Sequence, residues 1–135
     1  MTHTIHKAAG IILTDRRLLV TRSKGKSFFV SPGGKIEAGE SPQEALIREL
    51  TEELTITVSP DDLELFGSFS AAAMGEDAEL HMEVFLVRVW GGEIQADNEV
   101  EEIRWLDSNL PPDFELGSIF AHEVIPRLKT QGLID

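Results

Sequence analysis

The residues of this chain best suited to chemistry fall on one predicted helix. Glu49, Glu52 and Glu53 stand at i, i+3 and i+4, so their carboxylates share one arc of the helix surface. Like charges in this arrangement repel by roughly 0.2–0.5 kcal/mol per pair, and the helix dipole disfavours negative charge toward the C-terminal end. Such a cluster is either a solvated acidic face, with Arg48 reaching Glu44 and Glu52 one turn away on each side, or a site for a hard divalent cation. In the second case Mg²⁺ or Mn²⁺ would keep open positions for phosphate oxygens. The segment upstream favours the cation site. Ser31-Pro32-Gly33-Gly34-Lys35 pairs two glycines, which allow close approach to a ligand, and leads through Glu37, Gly39 and Glu40 into the helix. Backbone groups and carboxylates can then converge on one point.

The helix that carries them has a defined start. Ser41-Pro42-Gln43-Glu44 places a hydroxyl at the N-cap, proline at the first helical position and glutamate at the third, which forms a capping box. The helix runs to about Leu54, with Leu46, Ile47, Leu50 and Leu54 on the core-facing stripe. A second helix is predicted over 118–130 on the stripe Phe120, Val124, Ile125 and Leu128, kinked at Pro126 or with its last turns split off there, and stopped by Gly132. Apolar and β-branched clusters predict strands at 5–13, 18–21, 28–30, 56–58, 63–69, 82–90 and 103–106. Thr14-Asp15-Arg16-Arg17 reads as a tight hairpin connection. Gly91-Gly92 ends the 82–90 strand and turns the chain back through Ile94. Leu110-Pro111-Pro112-Asp113 is a stiff loop, and no repeat or long linker divides the chain, so one domain is expected over 1–135.

Composition bounds the ligand. The 135 residues include 12 Lys+Arg against 24 Asp+Glu, a net charge of −12, with no Cys and no Tyr, and 41% of them are hydrophobic. A chain of this size builds a core without disulfides, and thiolate zinc sites are excluded by the absence of cysteine. The acidic balance opposes binding of nucleic-acid polymers or membranes through a basic surface. An anionic ligand would need cations to bridge it to the protein. The small and apolar run at 8–13 is too short for a membrane span and lacks the basic lead-in of a secretory signal, so a cytoplasmic location is expected.

Residues 34–56 read Gly34, five residues, Glu40, seven residues, Arg48-Glu49-Leu50, one residue, Glu52-Glu53, one residue, then Thr55-Ile56. This pattern closely resembles the Nudix box, in which glycine stands where this chain has Thr55; every other specified position matches. The resemblance implies an α/β class, an α/β/α sandwich with a mixed sheet. It implies hydrolysis of a pyrophosphate bond in a nucleoside diphosphate linked to a further group, foremost a nucleoside triphosphate in the manner of MutT-like housecleaning enzymes. The alternatives are an ADP-ribose or nucleotide-sugar pyrophosphatase, or a non-catalytic nucleotide-binding module. By the resemblance, Glu49, Glu52 and Glu53 would hold Mg²⁺ or Mn²⁺ with the carbonyl of Gly33, Arg48 would orient the glutamates, and Glu40 would contribute directly or through water. A further acidic residue from a later loop would act as ligand or base. Glu99 is the first choice and Glu102 the second, with a plain solvated loop as the alternative. Because a β-branched residue suits a left-handed cap poorly, Thr55 predicts a helix that passes into the 55–58 strand without one.

Substrate choice is carried outside the box. Arg22, Lys24 and Lys26 flank the loop before Phe28 and could meet phosphates, as could Lys35 beside the glycines; lysines around a glycine also serve as a soluble loop. Phe28, Phe69, Phe85 and Trp90 are candidates for stacking on a base, at least two of them being expected in the core, with Phe28 and Phe85 the preferred pair. His81, expected to open a strand, faces the site or is a partly exposed, satisfied side chain. Relatives acting on dinucleoside polyphosphates often carry a tyrosine after the box and those acting on ADP-ribose a proline; this chain has no tyrosine, and 68–74 contains no proline. The stretch 116–123 lacks the asparagine with which enzymes of the triphosphate branch read an oxidised base. The partner is a small-molecule nucleotide. A homodimer through the 82–90 strand or the final helix stays open.

Overall fold

In the computed structural model, which describes residues 3–73 and 77–135, strand alternation sets the architecture. β1 (His3–Ile11) runs parallel to β6 (Ala78–Val87). Ala8 of β1 and Phe85 and Val87 of β6 turn to one face, where they pack with Ala45, Leu46, Leu50 and Leu54 of α1 (Pro42–Leu54). Ala9 and Ile11 of β1 and Met82 and Val84 of β6 turn to the other face and meet Phe120, Val124, Ile125 and Leu128 of the terminal helix. Period-two side chains thus give two cores on the two faces of one strand pair, with a helix over each. This is the α/β/α sandwich that the resemblance implied. β4 (Gly33–Lys35) and β5 (Leu63–Ala72) pair antiparallel on the outer sides, so the mixed sheet has the order β4-β1-β6-β5. A second, antiparallel sheet has the order β2-β3-β7, from Leu13–Thr14, Arg17–Ser23 and Val100–Leu106.

The start of α1 is as expected. Ser41 accepts from the Glu44 N–H at 3.1 Å and the Glu44 carboxylate accepts from the Ser41 N–H at 2.9 Å. The hairpin between β2 and β3 also forms, with Asp15 and Arg16 both at positive φ, the demand of a two-residue primed turn met without glycine. No described helix is long and apolar enough to cross a membrane.

Several expectations are corrected. Gly33-Gly34-Lys35, for which no strand was expected, is a strand paired with β1. The predicted 28–30 and 56–58 strands are single bridges, Thr21 to Val30, Phe29 to Leu116 and Thr57 to Gly91, because each segment has too few neighbours to extend a ladder. The 82–90 strand begins at Ala78 and ends at Val87, leaving Trp90 beyond it, and His81 lies within the strand rather than opening it. Pro126 does not split the last helix. The missing N–H of Pro126 is absorbed by a π-turn over Phe120–Val124, in which the Ile125 N–H bonds to Phe120 O, before α2 (Ile125–Thr130) continues. Gly132 at φ 73° ends it, with the Leu133 N–H returning to Leu128 O at 2.9 Å. The stretch 68–74 ends at Met74, which lies outside the described residues.

Thr55 also differs from expectation. It caps α1 in the left-handed region at φ 59° and ψ 29°. Its N–H donates to Thr51 O at 3.2 Å and its Oγ1 donates to Glu93 O at 3.0 Å. The hydroxyl thus holds a conformation that β-branching disfavours. Thr55→Val keeps the branching and removes the bond, and should cost about 1 kcal/mol or more in urea unfolding. Thr55→Gly should stay within about 1 kcal/mol of the parent, since relief of strain offsets the lost bond. A Thr55→Val protein as stable as the parent would show that the hydroxyl does not hold this turn.

Candidate active site

The site begins with two missing β-carbons. Gly33 sits at φ 144°, and a β-carbon there would collide with the carbonyl of Ala8 across the β1–β4 pair. A β-carbon on Gly34 would lie 2.6 Å from the carboxyl group of Glu49. Glycine at 33 lets β4 run against β1, and glycine at 34 leaves room for the Glu49 carboxyl group of α1. The Gly33 N–H then donates to Glu53 Oε1 at 3.1 Å.

Burial acts on the carboxylates that α1 brings to this strand. It pushes Glu53 up to about 7, helped by repulsion from Glu49 and Glu52 and opposed by the Gly33 N–H and by the charge of Lys7. Burial also raises Glu49, against the pull of Arg48. Arg48 joins the cluster together. It donates from Nε to Glu40 Oε2 at 2.8 Å, from Nη2 to Glu40 Oε1 at 3.0 Å and from Nη1 to Glu49 Oε1 at 2.9 Å. Nη2 also donates to Lys35 O at 3.2 Å, and Glu52 lies 3.6 Å from Nη1. The partner expected one turn back, Glu44, is committed to the capping box instead. Glu40 takes the fork of Arg48 and also the Glu37 N–H, and these bonds hold its carboxyl down at about 2.

Among the described residues no three carboxylate or imidazole groups gather closely enough to hold an ion as they stand, since Arg48 draws Glu49 and Glu52 to its guanidinium. The donor chemistry nevertheless fits a hard cation. Glu49 and Glu53 offer only oxygen, lie side by side on one helix, and are pushed toward protonation by burial, a penalty that a divalent charge would reverse.

A cavity of about 430 Å³ opens beside the glycines. It is lined by Gly33 and Gly34, by Phe28 and Ser31, and by Ser118 at the start of the terminal helix. Phe28 is half-buried there, in a place to meet a ligand. Phe85 is corrected: it is 3% exposed under α1 and presents no ring to the cavity. Phe69 is likewise core, with Arg127 over its ring, and Trp90 packs on the α1 side. Arg22 is engaged by Glu101 at 3.0 Å and Glu102 at 3.1 Å, while its neighbours Ser23 and Lys26 line the cavity. Lys35 is exposed on β4. His81 is satisfied by Ser70 Oγ at 3.1 Å and Glu83 at 3.3 Å. Glu99 is exposed on a loop tied to the site. Asp97 N–H donates to Glu53 O, and Lys24 N–H to Glu99 O. Glu102 has both oxygens taken, by Arg104 and Arg22, which hold its pKa down.

Lys7 was not singled out by motif. It lines the cavity and acts on Glu53, and its signal was available: Ile5, Lys7, Ala9 and Ile11 share one strand face, so a charge interrupts an apolar stripe.

A family model described as the NUDIX domain matches residues 4–128. An ADP-ribose pyrophosphatase of Methanocaldococcus jannaschii is 33% identical over 119 residues, which cover 86% of this chain and 67% of that protein. An 8-oxo-dGTP diphosphatase of Escherichia coli is 35% identical over 91 residues, covering 64% and 67% of the two chains. The crystal structure of a MutT NUDIX hydrolase from Burkholderia pseudomallei superposes with a TM-score of 0.74 at 20% identity, covering 96% of this chain and 98% of its own, a likeness of fold.

Glu53 yields a pH prediction. Its folded pKa lies above the ordinary 4.5, so folding takes up a proton, and metal-free stability should fall as pH rises from about 4.5 to about 7. Denaturant midpoints measured in EDTA should show this decline, and Glu53→Gln should flatten it. Mg²⁺ should restore stability at the upper end. A parent and variant with parallel profiles would remove Glu53 as the source.

Proposed function

The chain belongs to the Nudix family and is a Nudix hydrolase acting on a nucleoside diphosphate derivative, and on that premise we propose that its substrate is a nucleoside triphosphate cleaved in the presence of Mg²⁺ or Mn²⁺. The observation that supports this reading most is the meeting of Glu49 and Glu53 with the Gly33-Gly34 strand at the edge of the cavity. A cavity of about 430 Å³ lies within the range of small-molecule sites. In this reading it takes the nucleoside, with Phe28 beside the base, and the phosphates run toward the glycines. The two cores share the β1–β6 pair, which supports treating 1–135 as one domain with its motif at 34–56.

Nudix hydrolases generally use a divalent metal. When bound, it supplies charge neutralisation at the diphosphate and a water of lowered pKa. Glu49, Glu52 and Glu53 are the residues assigned to hold it, with the Gly33 carbonyl. Arg48 and Glu40 lock each other and hold the carboxylate of Glu49 beside the glycines, and Glu49 would have to turn from Arg48 to take up the cation. Glu40 acts in this reading as a positioning residue rather than a ligand. Glu99 is the assigned proton acceptor, because its loop is tied to the end of α1 while the carboxylate of Glu102 is already paired. Lys35 within the box and Phe28 outside it are assigned to substrate, and Arg22 to shaping the loop between them.

ADP-ribose is the second reading, favoured by the 33% identical relative named for that activity. The test is a panel of nucleoside triphosphates, 8-oxo-dGTP, ADP-ribose, nucleotide sugars and dinucleoside polyphosphates in Mg²⁺ or Mn²⁺, with products resolved by chromatography. Turnover of a triphosphate should exceed that of the other classes, disappear in EDTA, and fall about a hundredfold or more in Glu53→Gln. Preference for ADP-ribose would replace the first reading with the second. Metal-dependent binding without turnover of any compound would overturn both.

A further inference from the structure

Lys7 and Lys35 occupy facing positions on β1 and β4. Side chains directly opposite in an antiparallel pair share one face of the sheet, with Cβ atoms about 4.5–5.5 Å apart, and like charges so placed destabilise the pair. The chain has twice as many acidic as basic residues, yet among the described residues neither lysine joins an ion pair. Lys7 lines the cavity together with Gly33 and Gly34, Lys26 adds a further ammonium, and no described carboxylate lines it. The cavity is therefore a cationic spot on a protein of charge −12, with Lys7 on its wall and Lys35 facing Lys7 from the strand that carries the Glu53 contact.

We propose that Lys7, with Lys35 beside it, forms a clamp for an unesterified phosphate, so that this hydrolase prefers substrates ending in a free phosphate over diphosphates esterified at both ends. The inference rests on the triphosphate reading and names the residue that enforces it. A terminal phosphate carries about 1.5–2 negative charges near neutral pH, whereas a phosphate esterified on both sides carries a single one. The extra charge is what a pair of ammonium groups distinguishes. Each ammonium is a compact point charge that binds phosphate without the planar geometry of a guanidinium. The like-charge cost in the free protein is offset in part by Glu53 and is relieved further when an anion arrives, which makes Lys7 a specificity-determining residue rather than a support of the fold.

Steady-state kinetics of the parent, Lys7→Met and Lys7→Arg, each with GTP, CTP and ADP-ribose in saturating Mg²⁺, test it. Lys7→Met should lower the ratio of kcat/KM for triphosphate over ADP-ribose by about tenfold or more, mainly through KM, and Lys7→Arg should recover most of the ratio. The melting temperature of the free Lys7→Met protein should stay level or rise, since repulsion by Lys35 is removed. Lys7→Gln serves as a second neutral variant should Lys7→Met fold poorly. Normal turnover by the parent with a ratio that Lys7→Met and Lys7→Gln leave in place would overturn the clamp alone. A parent that hydrolyses no triphosphate would overturn the triphosphate reading and the clamp with it.

Discussion

The site depends on the space left by two absent β-carbons. β4 is three residues long, and it lies where the carbonyl of Ala8 approaches from one side and the carboxyl of Glu49 from the other. A side chain on Gly33 would force β4 away from β1, and one on Gly34 would push aside the carboxyl end of Glu49. In the first case the Gly33 N–H would lose Glu53, and in the second the Glu49 carboxylate would leave its place beside the strand. The close approach is maintained from behind by packing. Leu46, Leu50 and Leu54 of α1 are fully buried with Ala8, Ile12 and Leu19, so the helix cannot draw back without opening the core.

Electrostatics impose the second constraint. Burial makes Glu53 and Glu49 poor anions, and the structure offers them one guanidinium and one backbone amide. Arg48 cannot satisfy all its neighbours. Its bidentate contact goes to Glu40, which leaves Glu49 a single bond and Glu52 a longer approach of 3.6 Å. The fork on Glu40 is the stronger geometry, and it anchors the loop before α1 to the middle of the helix. Glu49 and Glu53 are thereby left under-neutralised while the residues that aim them are tightly tied. The cation site proposed for these carboxylates would need both properties, positive charge kept short at the ligands and sufficient just outside them.

Much of this was legible in the sequence because it is local. The capping box, the core stripe of α1 and the carboxylates at i, i+3 and i+4 all follow from spacing within one helix, and they stand where expected. The two-core sandwich followed from resemblance, and alternation in β1 and β6 explains it. What local spacing could not reveal depends on partners distant in the chain. Gly33-Gly34-Lys35 has no apolar or β-branched residue to mark it as a strand, and only β1 beside it makes it one. Thr55 looks unsuited to a left-handed cap until Glu93 offers a carbonyl. Phe85 looks like a stacking platform until α1 covers it. Lys7 carries no motif at all, and only the shared face of β1 shows that it is out of keeping with its neighbours.

The terminal helix links specificity to stability more tightly than the helix carrying the carboxylates does. Ile119 and Phe120 form part of the cavity wall and are also in the core, at 3% and 1% exposure. The π-turn that begins at Phe120 exists because Pro126 has no N–H to continue the ordinary ladder. A wider turn at that point changes the phase between Ser118, at the cavity, and Val124, Ile125 and Leu128, in the core. A change to the cavity wall must therefore keep core packing on the next turn, whereas the edge formed by Lys7, Lys35 and Lys26 is free of that demand. On the reading proposed for the substrate, selection among its charged ends would for this reason be more easily altered at the lysines than selection among bases at the helix.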